Sequence, residues 1–323
     1  MIIVTGGAGF IGSAMVWKLN QEGIDDIIIV DRLGETHKWR NLVNRRYADF
    51  LHKDVFLQMI LDDRVPFSVD KIVHMGACSA TTERDADYLM DNNFHYTCHV
   101  AKWAMKHGVR LIYASSAATY GNGEEGFEDK EERINSLRPI NMYGYSKQLF
   151  DQWCLRHGLQ TQIAGIKFFN VFGPNEYHKG DMSSVVYKSY YQIREKGAVD
   201  LFQSHRQDYG DGEQRRDFVY VKDCVNVLWW LLEHGEVNGI FNLGTGQSRT
   251  WNDLIGAVFS ALVRTPQINY IPMPEQLRSQ YQYYTEARMD KLAQRGCPVS
   301  FPPLEESVRD YVVNYLDRGQ ATL

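Results

Sequence analysis

Tyr143 and Lys147 stand four residues apart in the run Tyr143-Gly144-Tyr145-Ser146-Lys147. At that spacing a phenol and an ammonium share one face of a helix. Beside a bound nicotinamide, the ammonium and the cofactor's own positive charge favour the phenolate. Tyr143 can then take the proton of a substrate hydroxyl as hydride leaves the same carbon. That is the chemistry of alcohol and carbonyl interconversion. A chain with 19 tyrosines produces such a pair by chance, so its weight comes from its company. Ser115 and Ser116 close the apolar run Leu111 to Ala114. A hydroxyl there can orient a reacting oxygen toward Tyr143, although a serine pair after a strand is also an ordinary turn.

Upstream, Thr5-Gly6-Gly7-Ala8-Gly9-Phe10-Ile11-Gly12 sets Gly6, Gly9 and Gly12 in a GxxGxxG pattern between an apolar run and a helical one. Glycine lets the backbone approach a pyrophosphate, and a helix N-terminus adds free N–H groups and positive potential. Asp31 ends the next apolar run, where a carboxylate takes the adenosine ribose hydroxyls and favours NAD. Arg32 follows and Lys38 lies near, and two cations there can hold the 2′-phosphate of NADP. The residues lean to NADP and leave NAD open. Lys179, in His178-Lys179-Gly180, is by itself an ordinary surface lysine. Arg215 and Arg216 can clamp a diphosphate or pair with Asp217. Tyr281 can wall a nucleotide site or fill a core.

Short apolar runs alternate with helical patterns through the first half. Ile2 to Thr5, Ile27 to Asp31, Ile72 to His74 and Leu111 to Ser115 read as strands buried on both faces, and Gln162 to Phe169 reads as a further strand. Ile11 to Glu22, Asp54 to Leu61, Thr82 to His107 and Tyr143 to His157 read as helices. The alternation predicts an α/β fold, a doubly wound parallel (Rossmann) sheet with a smaller α+β substrate-binding lobe. The expected division is 1–170 for the nucleotide domain, with a return segment near 217–250, and 171–323 for an interwoven lobe. Within the lobe, a helix spans about Ser183 to Lys196, a polar loop runs from Ser204 to Gln214, and Asp223 is a plausible N-cap for the next helix.

Composition narrows the partners. The chain is 44% hydrophobic and 23% charged, with 35 Lys and Arg against 40 Asp and Glu, a net charge of -5. No basic block suggests nucleic acid, and no apolar run approaches the roughly 18 residues of a membrane span. The five cysteines are scattered without a CxxC pair, which argues against structural disulfides and a zinc site; no metal is expected. With Met1 leading straight into a strand, a cytoplasmic location is expected, and so is a homo-oligomer.

TGGAGFIG, the serine strand end, Tyr143 with Lys147, and Arg215-Arg216-Asp217-Phe218-Val219-Tyr220-Val221 together resemble the extended short-chain dehydrogenase/reductases that act on nucleotide sugars. Within them, the runs Gly76 to Glu83, Met90 to Asn93, Ala114 to Gly121 and Phe169 to Pro174, with His178-Lys179-Gly180, resemble the ADP-L-glycero-D-manno-heptose 6-epimerases over nearly the full length. The resemblance implies tightly held NADP, contacted by Phe10, Ile11, Asp31, Arg32, Lys38, Lys53, Met75, Gly76, Ala77, Cys78, Ser79, Asn92, Lys147 and Val171, with Gly6, Gly9 and Gly12 of the glycine pattern and Lys179 as further cofactor-binding candidates. It implies an ADP-heptose substrate contacted by Asn170, Phe202, Ser204, Arg216 and Tyr281, with Asp181, Lys188 and Gln203 as further substrate-site candidates. Asp181 and Lys188 stand where a serine and a histidine are expected, and the Ser204 to Gln214 loop is longer than usual.

The implied reaction inverts C6 of the heptose for the lipopolysaccharide inner core: oxidation to a ketone, rotation about C5–C6, and hydride return to the other face. It implies two acid/base groups, Tyr143 and Lys179, with Lys147 and Ser116 in support. The nearest rival is a nucleotide-hexose 4-epimerase, which needs only the tyrosine. A 4,6-dehydratase would carry an acidic pair where Ala117-Ala118-Thr119 follows Ser116. A cofactor-binding scaffold without turnover would have no use for Tyr143 and Lys147.

Overall fold

The structure, a computed structural model, describes residues 1–278 and 281–323. Its centre is a seven-stranded parallel sheet built from β1 (Ile2–Thr5), β2 (Ile27–Asp31), β3 (Asp49–His52), β4 (Lys71–His74), β5 (Arg110–Ser116), β6 (Ala164–Phe168) and, from far along the chain, Gly239–Leu243. β1, β2 and β6 are buried at every residue, as parallel strands covered by helices on both faces must be. β3 escapes the sequence pattern because it is an edge strand with only Phe50 and Leu51 apolar, both half-buried.

Helices α1 (Phe10–Gln21), α2 (Lys53–Leu61), α3 (Ala86–Leu89), α4 (Tyr96–Lys106) and α5 (Met142–Arg156) supply the crossovers. The helix expected over Thr82 to His107 begins only at Ala86, where the Asp85 carboxylate accepts from Tyr88 N (2.9 Å). It passes through a π-helical stretch, Met90–His95, before α4. That stretch has a use: Asn93 accepts from Cys78 N (2.9 Å) and donates to Cys78 O (2.9 Å) and Ser146 Oγ (3.1 Å), pinning the loop after β4 to α5.

The second layer of structure uses β7 (Asn170–Phe172), α6 (Val185–Lys196), β8 (Val199–Phe202), β9 (Arg215–Tyr220), α7 (Val221–Glu233), β10 (Gly239–Leu243), β11 (Ser248–Thr250), α8 (Trp251–Ala261) and β12 (Ile268–Ile271). β11, β9 and β7 form a three-stranded sheet, and β8 pairs with β12. The chain then returns: α7 packs on α1, and β10 joins the main sheet beside β6. Asp223 is not the N-cap of α7. The cap position is Tyr220, without a side-chain cap, and Asp223 lies in the first turn with its carboxyl pushed up to about 7 by burial. Among the described residues no helix is long and apolar enough to cross a membrane.

Candidate active site

β1 lies between β2 and β4, so the crossovers leave it in opposite directions and open a crevice at the carboxyl ends of the strands. A cavity of about 540 Å³ fills that crevice. Three local arrangements build its walls.

The first is the glycine loop. Gly6 has φ +64, and a Cβ on it would lie 2.7 Å from Gly76 N. A Cβ on Gly12 would lie 2.1 Å from Gly6 O, so only glycine lets α1 approach the loop this closely. α1 starts after Gly9 with no side-chain cap, leaving its first-turn N–H groups for an anion in the cavity. An adjoining cavity of about 360 Å³ is lined by Arg32, Lys53, Cys78 and Asn92, and Asp31, Lys38, Gly76 and Ala77 line both. The Asp31 carboxylate accepts from Ala8 N (2.9 Å), Arg32 N (2.7 Å) and Lys38 Nζ (2.7 Å). Among the described residues the Arg32 side chain has no ion-pair partner, whereas Lys53 Nζ lies 3.2 Å from Asp54. A dinucleotide fits the two cavities: uncapped helix N–H groups for the pyrophosphate, a close backbone approach at Gly6, and a cationic rim beyond Asp31.

The second is the Tyr143 face. Asn141 Oδ1 accepts from Gly144 N (2.8 Å) and starts α5 there, and Gly144 allows contact with the Ala118 carbonyl, which a Cβ would meet at 2.6 Å. The approach brings Tyr143 toward Ser116, whose Oγ accepts from Ala118 N (3.1 Å). Lys147 Nζ donates to Ala114 O (2.8 Å). Burial pulls the Lys147 ammonium down to about 8, against the Asp151 charge that raises it. Burial pushes the Tyr143 phenol above its ordinary value, and the Ser116 hydroxyl pulls it partly back. In the protein alone the phenol is therefore protonated, and the phenolate expected from the sequence needs the positive charge a nicotinamide brings.

The third is the Tyr177–Met182 turn, where Gly180 takes φ +52. Lys179 Nζ lies 5.2 Å from the Phe10 ring, and burial pulls its ammonium down, opposed by the Glu176 carboxylate. Glu176 is fully buried and accepts from Gly173 N (3.2 Å), Ser184 N and Ser184 Oγ (2.7 Å), which fixes the turn. Tyr143, Lys147, Ser116, Lys179, Asn170 and Val171 all line the one cavity, as do Met75 and Ser79.

The remaining expected residues divide. Arg216, 6% exposed, lies between Trp251 (5.7 Å) and Tyr281 (5.5 Å) and donates to Arg215 O and Gln282 O. Among the described residues it has no carboxylate partner: Asp217 is taken up by Thr245, Gly246 and Ala287 N–H groups, and Arg215 donates to Ser248. Trp251 Nε1 donates to the Tyr281 oxygen (3.0 Å). Phe202, Gln203 and Ser204 lie at the end of β8, outside the lining of the main cavity, and Ser204 Oγ lies 3.4 Å from Tyr283 OH. The long loop is anchored by Ser204 N to Asp211 Oδ1 (2.7 Å) and Asn252 Nδ2 to Asp211 O (3.1 Å). Asp181 and Lys188 also lie outside that lining; Lys188 Nζ donates to Asp181 O. Trp251 and Phe218 also line the cavity, and no sequence pattern marks either as a site residue; Lys167 carries a signal, a lysine inside an apolar strand.

Beneath the glycine loop, His74 is 2% exposed, with Nδ1 2.6 Å from Thr5 Oγ1 and Nε2 2.9 Å from Thr97 Oγ1. Thr97 donates to Asn93 O and Thr5 Oγ1 accepts from Gly76 N, so the network assigns the neutral ring with its proton on Nε2. Burial lowers His74 from 6.5 to about 3, and Lys147 adds to the shift. A lowered folded pKa gives stability that is full above the unfolded value and lost as pH falls toward the folded one. Stability should therefore decline from about pH 6.5 downward, by about 1.4 kcal/mol per pH unit for this group. Urea midpoints at pH 7 and 5 should show a shallower pH dependence in His74→Gln; equal slopes would remove His74 from the account.

The family model described as NAD dependent epimerase/dehydratase matches residues 2–244. The chain belongs to this family. It is 61% identical over 316 residues, 98% of each chain, to ADP-L-glycero-D-manno-heptose-6-epimerase of Nitratidesulfovibrio vulgaris, and 48% identical over 332 residues, 100% of each, to the Fusobacterium nucleatum protein of that name. Among solved structures it resembles the Helicobacter pylori ADP-L-glycero-D-manno-heptose-6-epimerase (TM-score 0.81, 24% identity, 97% of this chain and 95% of that one). It also resembles the Thermus thermophilus UDP-glucose 4-epimerase in complex with NAD (TM-score 0.78, 24% identity, 99% of each). At that identity the structural likeness is one of fold; the family, described as NAD dependent, supports a nicotinamide cofactor.

Proposed function

We propose that the protein inverts C6 of the heptose in ADP-D-glycero-D-manno-heptose, giving the L-glycero epimer for the inner core of lipopolysaccharide, with NADP as its cofactor. The observation that carries the reading is that Tyr143 and Lys179, two acid/base groups from separate elements, line one cavity. A 4-epimerase that turns its whole sugar needs one such group. An inversion at a side-chain carbon moves the oxygen from one side to the other and needs two. The relatives named as heptose epimerases match this chain over essentially its full length.

A bound nicotinamide supplies a reversible hydride acceptor. The chain's residues handle the oxygen and its proton. Tyr143 takes the C6 hydroxyl proton with Ser116 orienting the oxygen and Lys147 supplying positive charge beneath. After rotation about C5–C6, Lys179 meets the carbonyl oxygen on the opposite side and returns a proton to it. Arg216, buried between Trp251 and Tyr281 without a counter-ion among the described residues, suits the diphosphate of the substrate. NADP is favoured over NAD because Asp31 is already occupied by Lys38 and two N–H groups, while Arg32 and Lys53 line the adjoining cavity. We further propose that the enzyme acts in the cytoplasm as a homo-oligomer.

Incubation of purified protein with ADP-D-glycero-D-manno-heptose should yield the L-glycero epimer, and nucleotide released by denaturation should have the mass of NADP. Arg32→Ala should weaken NADP by roughly 10- to 100-fold more than NAD, the worth of one charge-assisted hydrogen bond. Turnover of UDP-hexoses without turnover of ADP-heptose would replace the reading with a 4-epimerase. Recovery of NAD alone would overturn its cofactor.

A further inference from the structure

Lys167 and Asp151 form an ion pair at 2.6 Å with both side chains 0% exposed. Nothing in the proton chemistry above uses either group. A buried pair is weak grounds for stability, because two apolar side chains of similar volume do as well or better. What this pair touches is more informative.

Asp151 Oδ2 accepts from Lys167 Nζ and from Ser115 Oγ (2.7 Å), and Oδ1 accepts from Tyr113 OH (2.9 Å). Lys167 Nζ also donates to Thr119 Oγ1 (2.7 Å), and the Thr119 hydroxyl donates to Ser116 O (2.8 Å). Both serines at the end of β5 are thus tied to one carboxylate on α5, Ser115 directly and Ser116 through Thr119 and Lys167. Asp151 lies four residues beyond Lys147, on the same helix face.

We propose that the Asp151–Lys167 pair is a positioning device for proton transfer: it locks the serine end of β5 to α5 and fixes a negative charge one turn behind Lys147. The proposal rests on Tyr143 and Lys147 being the proton-transfer pair. The groups facing Lys147 are Tyr143 and Asp151 on α5, His74 at the end of β4, Cys78 in the loop beyond it, and the Ala114 carbonyl of β5. Burial keeps Cys78 a thiol and His74 neutral, so Asp151 is the standing negative charge that opposes the burial of the Lys147 ammonium. Without it, Lys147 loses its proton at lower pH.

The test uses the cofactor-loaded enzyme and two variants. Asp151→Asn removes the charge and keeps the shape but strands a buried cation. Asp151→Asn combined with Lys167→Met removes both charges and keeps the protein folded if the single variant fails. In the double variant kcat should fall roughly 10- to 100-fold; the alkaline limb of kcat should move toward neutrality in a folded Asp151→Asn, and by less in the double variant, which removes the Lys167 cation together with the Asp151 carboxylate. KM for ADP-heptose and the retained nucleotide should stay near wild type, a split that a merely structural pair would not give. A folded double variant with wild-type kcat and an unmoved alkaline limb would overturn the proposal. So would lower thermal stability with the pH profile unchanged. If Tyr143→Phe also turns over normally, the parent reading has failed; if Tyr143→Phe is inactive and the double variant is not, only the positioning role has.

Discussion

Tyr143→Phe should lose roughly 10²- to 10⁴-fold in kcat, the usual worth of general acid/base catalysis, while keeping its bound nucleotide and its melting temperature. The substitution deletes one oxygen and leaves the ring in place. Ser116 Oγ keeps its own bond from Ala118 N (3.1 Å), and Lys147 keeps Ala114 O (2.8 Å), so the walls of the site stand without the phenol. α5 still starts at Asn141, which caps through Gly144 N and not through Tyr143. The loss should therefore appear in single-turnover rates from either heptose epimer. Near-normal turnover in a folded Tyr143→Phe protein would mean that the proton-transfer site lies elsewhere.

The elements that hold Tyr143 were legible because each advertises itself locally. β1, β2, β5 and β6 are each built on a short apolar run, and the glycine loop between β1 and α1 has a pattern that only a tight approach explains. What escaped depends on partners distant in sequence. β3 is an edge strand whose alternation is too short to register, and it is a strand because β2 offers it a ladder. The π-helical turn at Met90–His95 is set by what Asn93 grips, Cys78 and Ser146, not by its own residues. Asp223 looked like a cap because its side chain can cap, but β9 runs to Tyr220 and the helix starts directly after it.

The site divides in the same way. Tyr143 and Lys147 share a helix face and could be paired by spacing alone. Lys179 could not. Its loop has no periodicity, and only the folded chain brings the Tyr177–Met182 turn over Phe10 at the start of α1. Resemblance picked it out where the residue pattern left an ordinary surface lysine. Asp151 and Lys167 are the extreme case. One lies on a helix and the other on a strand, and neither type nor spacing joins them before the sheet forms.

Lys179→Met should slow epimerisation by roughly 10²- to 10⁴-fold as well, but with a different signature. The variant should fold, because Lys179 forms no ion pair within 4.0 Å among the described residues and Met keeps most of its length. Glu176, the nearest opposing charge, is held by Gly173 N and by both Ser184 donors and does not depend on the lysine. If Tyr143 and Lys179 serve opposite sides of C6, each variant impairs the first oxidation of one epimer more than that of the other. Single-turnover reduction of the bound nucleotide, started separately from the D-glycero and L-glycero sugars, should therefore show opposite preferences in Tyr143→Phe and Lys179→Met. The product ratio at equilibrium cannot move in either, since a catalyst changes only rates. Lys179→Met with wild-type rates from both sugars would end the two-base account and leave Tyr143 to work alone, as in an epimerase that turns its whole substrate over.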